Sequence, residues 1–94
     1  MKITSIIWLP AVIEKLAVKH HVTPEEVEEV FRRNPVYRQG PKGKRRGENL
    51  YYAYGQTETG RYMFVVFIYK HDRRALILST RDMTSREHRM YRKR

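Results

Sequence analysis

The first apolar run, "KITSIIWL", is short and rich in β-branched residues, which predicts a strand. From Pro10 the spacing changes. Val12, Ile13, Leu16, Ala17 and His20 fall at i, i+1, i+4, i+5 and i+8, one face of a helix. "HHVTPEEV" opens a second helix: Thr23 is the N-cap, Pro24 takes the first helical position, and Glu26 completes a capping box. Val22 and Val27 are spaced as a hydrophobic staple. Val27, Val30 and Phe31 form its buried side. Pro35 ends it, because the residue before a proline is pushed out of the α region.

Residues 35 to 47, "PVYRQGPKGKRRG", are basic, lack acids and are broken by Gly and Pro, which predicts a loop or a loose hairpin. "ENLYYAYGQT" and "RYMFVVFIYK" follow as two strands turning at "ETG". The second is apolar on both faces, as in a central strand covered on both sides. "HDR" makes a tight connection into a further strand, "RALILST". The terminal "RDMTSREHRMYRKR" looks like a charge run, yet Thr84 and Glu87 have capping-box spacing. Glu87, Met90, Tyr91 and Arg94 recur along one side. This predicts a short helix docked on the sheet, with "RKR" as a solvated end. The expected fold is α+β: two N-terminal helices packed on a three- or four-stranded antiparallel sheet, with a short C-terminal helix, in one domain over residues 1–94. No internal repeat or linker interrupts it.

Charge changes the picture more than composition does. Twenty Lys and Arg stand against ten Asp and Glu, a formal +10. Such a field draws in phosphate backbones or an acidic protein partner, although a merely solvated basic surface carries the same count. There is no cysteine, so disulfides and thiolate metal sites are excluded. No apolar run approaches the ~20 residues that span a bilayer, and the N-terminus has no signal-peptide pattern. The expectation is a soluble cytoplasmic protein without a membrane partner.

Several stretches, in order and almost end to end, resemble the BrnT-like toxins of bacterial type II toxin–antitoxin systems. They are Trp8 with His20 twelve residues on in "VKHHV", then "TPEEVEEVF", "GENLYYAYGQTETGRYMFVVFIYK" and "ALILSTRDMTSREHRMY". The resemblance implies a RelE-like fold and a ribonuclease that arrests growth by cutting RNA. It also implies a cognate DNA-binding antitoxin, with operator DNA reached only through that antitoxin. Trp8, Lys19, His20, Gly47, Glu48, Arg81, Glu87 and Tyr91 hold the motif positions. Leu9, Val12, Leu16 and His21 depart from it, standing where the family pattern has an acid, a lysine, an asparagine and a glycine.

Metal-free cleavage by the attached 2′-hydroxyl requires a base, cations at the phosphorane and an acid for the leaving oxygen. His20 suits either proton role, though its apolar helix face equally suits core packing. Glu48 is a base or a partner of Arg46. Arg81 suits phosphate stabilisation, or an ion pair with Asp82 or Glu87. Lys19, Lys44, Arg45 and Arg46 are candidate phosphate contacts. Tyr91 is a base-stacking residue or part of a docking seam. His20, His21, His71 and His88 lack metal-ligand spacing, and no cofactor motif is present. The rival to a ribonuclease is a non-catalytic module that binds RNA, the ribosome or an antitoxin.

Overall fold

The computed structural model describes residues 1–42 and 48–93. The elements run β1 (Ser5–Ile7), α1 (Pro10–His20), α2 (Pro24–Arg32), β2 (Val36–Gln39), β3 (Asn49–Gln56), β4 (Tyr62–Tyr69), β5 (Arg74–Asp82) and α3 (Ser85–Arg92). One sheet holds the five strands in the order β1-β5-β4-β3-β2. It is mixed, since β1 lies parallel to β5 while the other pairs are antiparallel. The expected three or four antiparallel strands are thus corrected on two counts. Val36–Gln39, within the Gly- and Pro-rich stretch, forms the edge strand β2 because Pro35 cannot continue the helix and Val36 and Tyr37 favour β structure. The N-terminal strand pairs with the last strand of the chain, a contact that no local signal encodes.

The three helices divide between the two faces. Leu16 of α1, with Val22, Val27 and Val30, packs on Ala53, Met63, Val65, Phe67, Ala75 and Ile77 of the sheet. Full burial of a side chain such as Phe67 or Leu16 contributes about 1.5–3 kcal/mol. Of the expected α1 face, Leu16 is buried and Val12, Ile13 and His20 are half-buried, whereas Ala17 is exposed. α3 lies on the other face. Tyr62 alternates with buried Met63, so it points away from α1 and α2, and there its ring meets His88 at 3.8 Å and Tyr91 at 5.9 Å. Both predicted capping boxes form, Thr23 with Glu26 and Thr84 with Glu87. β4 is central as expected, but its second face is only partly covered: Phe64, Val66 and Ile68 are half-buried. Among the described residues, no helix is long and apolar enough to cross a membrane.

Two features set the geometry of the end that matters. A bulge between Val66 and Phe67 and their partners on β5 adds one residue, so Phe67 faces Ile77 while Val66 faces Ser79. The strand's alternation changes phase there. Ala75, Ile77 and Thr80 are buried under the helices, and Arg81 turns to the opposite face beside Phe64. Arg61, in the β3–β4 turn, ties this end together. Its guanidinium donates to the carbonyls of His20 and His21 at 2.9 Å each, to Glu26 at 3.1 Å and to Asp82 at 2.7 Å.

Gly55 sits where α2 meets β3: a Cβ there would fall 2.8 Å from Val30 Cγ1. Val30 is fully buried and has nowhere to go. Gly55→Ala is therefore expected to cost about 1–3 kcal/mol, seen in a thermal melt as roughly 4–8 °C of Tm per kcal/mol. His21 ends α1 with a left-handed φ of 53°, the conformation that suits the glycine of the family pattern. His21→Gly relieves about 1–2 kcal/mol of steric cost against the extra freedom of glycine in the unfolded chain. The same melt should show a rise equivalent to up to about 1 kcal/mol.

Candidate nucleic-acid interface

The sheet face opposite α1 and α2 carries an aromatic floor. Tyr52 and Tyr54 of β3 each lie 5.1 Å from Phe64 of β4. The Arg81 guanidinium stacks 4.3 Å above the Phe64 ring, a cation–π arrangement. Its far side is gripped by Glu87, with hydrogen bonds of 2.7 and 3.0 Å from Nη1 and Nη2, and Nη1 also donates to the Asp82 carbonyl at 3.1 Å. Glu87 in turn accepts from the Thr84 N–H at 2.9 Å as part of the α3 cap. One carboxylate thus starts the helix and orients the arginine. Arg81 keeps part of its surface open, and its Nε–H makes no hydrogen bond among the described residues.

Beside this floor runs a groove of about 560 Å³ between β2 and α3, lined by Val36, Arg38, Arg86, Arg89, Met90, Tyr91 and Lys93. Arg86, Arg89 and Lys93 recur at helical spacing on one side of α3, and Arg38 projects from β2. All four are exposed, and among the described residues no carboxylate lines the groove. Cations over aromatic rings beside a basic channel suit a single-stranded nucleic acid, whose bases stack and whose phosphates pair with arginine.

The environment tunes several groups. Glu87 is held below its ordinary carboxylate range, chiefly by the Arg81 hydrogen bonds, with burial opposing them. Arg81 is raised, first by Glu87. Burial, and then the Glu87 charge, pushes the Tyr54 hydroxyl up. His88 packs under Tyr62 with its Nε2 buried and without a hydrogen-bond partner among the described residues.

The residues singled out from sequence are scattered. Arg81 is in the floor, in the ion pair with Glu87 that was one of its two expected roles. Tyr91 is buried against Tyr62 with 5 % of its surface exposed. Glu48 precedes β3 and lies 3.8 Å from Lys70. The Asn49–Tyr69 pair near it is five rungs from the Tyr54–Phe64–Arg81 row, about 17 Å along the strands. His20 and Lys19 close α1 on the helix-covered side, where the His20 carbonyl binds Arg61. His20, Glu48 and Arg81 are therefore not brought together. Lys44, Arg45 and Arg46 lie outside the described residues. Sequence reasoning passed over Arg38, Arg86, Arg89, Lys93 and Phe64. The spacing of the α3 cations was the available signal, whereas Arg38 joins them only through strand pairing. Among the described residues, no three His, Asp or Glu side chains gather as a metal site.

Comparison with protein families finds one model, described as "Ribonuclease toxin, BrnT, of type II toxin-antitoxin system", matching residues 8–87. No individual curated protein gives a match.

A carboxylate lowered in the folded state adds stability above its ordinary value of 4.5, and that stability is lost as pH falls through the lowered folded value. Thermal melts from pH 7 down to pH 3 should accordingly show an acid-side drop in Tm. In Glu87→Gln the neutral-pH Tm is expected to be lower and the acid-side drop smaller. An unchanged drop would place the acid sensitivity elsewhere.

Proposed function

Because the chain belongs to the BrnT family of ribonuclease toxins of type II toxin–antitoxin systems, we propose that it cuts RNA in the cleft between α3 and the Tyr52–Phe64 floor. The cut is internal and metal-independent, by attack of the 2′-hydroxyl on its neighbouring phosphate. Arg81 is the phosphate-stabilising residue, and Glu87 is the residue that positions it. Arg38, Arg86 and Arg89 hold flanking phosphates, while Tyr52 takes a base. The observation that carries this reading is Arg81 itself, stacked on Phe64, donating two hydrogen bonds to Glu87 and still partly exposed on the sheet face that carries α3.

The electrostatics favour the transition state in a specific way. A phosphorane carries more negative charge than the ground-state phosphodiester, so a fixed guanidinium stabilises it more. Glu87 removes the cost of arranging Arg81 at the moment of reaction. In the cell such cutting depletes translated RNA and halts growth until the cognate antitoxin binds. The reading extends to a cytoplasmic setting and to an antitoxin that is itself the DNA-binding repressor of the pair.

Purified protein incubated with a labelled single-stranded RNA in EDTA tests the proposal. Cleavage is expected in the wild type and should fall on the order of 100-fold in Arg81→Ala, as for loss of one transition-state donor. Single Ala variants of Arg38, Arg86 or Arg89 should mainly weaken binding, each lowering the slope of log affinity against log salt by about 0.7. His20→Ala and Glu48→Ala should retain cutting. Loss in those two with activity intact in Arg81→Ala would move the chemistry to another part of the molecule. RNA bound but never cut would favour the non-catalytic module.

A further inference from the structure

β2 ends the sheet, and its outer edge pairs with no described strand. Gly40 N–H donates to Leu50 at 2.8 Å, and the register continues through Arg38–Tyr52 and Val36–Tyr54. Val36, Arg38 and Gly40 therefore turn their backbone groups toward β3, and Tyr37 and Gln39 turn theirs outward. Two N–H donors and two carbonyl acceptors stand in a row along this edge. Phosphate oxygens can satisfy the donors but offer nothing to the carbonyls, whereas a polypeptide strand satisfies all four.

The side chains beside the edge select among strands. On the open sheet face lies Arg38, with Arg86 and Arg89 of α3 and Lys93 at its C-cap across the groove. On the helix face lies Tyr37, half-buried and 6.3 Å from Phe31. A second copy of this chain would bring its own cations against these four and be repelled, which is how charged edges avoid self-association. A strand with an acid opposite Arg38 and apolar residues opposite Tyr37 and Gln39 fits both faces.

We propose that the outer edge of β2 is the docking site for an extended, acidic–apolar alternating segment of the antitoxin, which adds a sixth strand to the sheet and lays its carboxylates in the Arg38–Arg86–Arg89 groove. This rests on the reading of the chain as a toxin with a protein antagonist. Occupancy of the groove then excludes RNA phosphates directly, so neutralisation is a competition for the same cations. With only two residues presenting backbone groups outward, the backbone bonds set register while the charges supply much of the attraction.

The test uses the full chain and an N-acetylated octapeptide of alternating Glu and Val, followed by amide NMR and by inhibition of RNA binding. The peptide is expected to slow exchange of the Tyr37 and Gln39 amides and to displace a labelled oligouridylate. Gln39→Pro removes one outward donor without touching the β3 ladder. It should weaken the peptide about tenfold, near the upper worth of a single hydrogen bond, and leave RNA cleavage at wild-type level. A peptide N-methylated along its pairing edge should lose binding to the unaltered protein, so the result does not hang on folding of the variant. Equal binding of the N-methylated peptide, no binding at millimolar peptide, or protection of those amides by oligouridylate instead of peptide would each overturn the proposal. Peptide binding as described in a protein that cuts no RNA would support the edge and sink the ribonuclease cleft.

Discussion

The Arg61 guanidinium takes up the carbonyls of His20 and His21 at the end of α1, the Glu26 carboxylate in the first turn of α2, and Asp82 at the end of β5. Those two carbonyls belong to the set that any helix leaves without an internal partner at its C-terminus, and they carry the negative end of its dipole. Glu26 is already engaged with the Thr23 backbone in the capping box. A single planar cation on a short turn therefore closes one helix, bears on the start of the next and pins the last strand. The turn itself is held by Thr57, buried and bonded through both its backbone and its hydroxyl to Arg61. Lysine has the charge but not the fork, so it cannot reach four partners in these directions. Everything at this end of the sheet, including the strand that delivers Arg81, inherits its position from this junction.

The two arginines divide structure from proposed function across the thickness of the sheet. Arg61 lies on the side of the helices and spends its donors on the protein. Arg81 lies on the side of α3, where Glu87 accepts from two of its nitrogens and part of the side chain stays exposed. The ion pair is partly exposed, so its contribution to stability is modest. Its value is geometric, since a guanidinium that is stacked and doubly bonded loses little entropy when a phosphate arrives. Among the described residues no acid lines the groove beside its cations, so the RNA and the acidic antagonist proposed above would share one target.

What could be read in the chain was local. Thr23–Glu26 and Thr84–Glu87 announce their helices because a cap is decided within four residues, and the apolar run of β4 announces a central strand. Arg81 was visible as the end of a strand beside a cap, and so was its alternative as the partner of Glu87. Pairings across long stretches of chain were not visible. Nothing in "KITSII" says that it runs parallel to β5, and the β preference of Val36 and Tyr37 in "VYRQ" is masked by the glycines and prolines around it. Arg61 has no signal in "ETGRY", because its partners lie 21 to 41 residues away. His20, Glu48 and Arg81 read as one constellation by chemistry, yet strand direction and the two faces of the sheet separate them.

The bulge at Leu78 gives this strand a parity. Between Ile77, buried under the helices, and Arg81, beside Phe64 on the opposite face, there are four steps, and an unbroken strand would return both to one side. The single inserted step makes the count odd in effect and carries the arginine across. Substitution alone therefore cannot move this function from one face to the other; it takes a change in length. The placement of the proposed phosphate-binding residue is stored in the number of residues in the strand as much as in their identities.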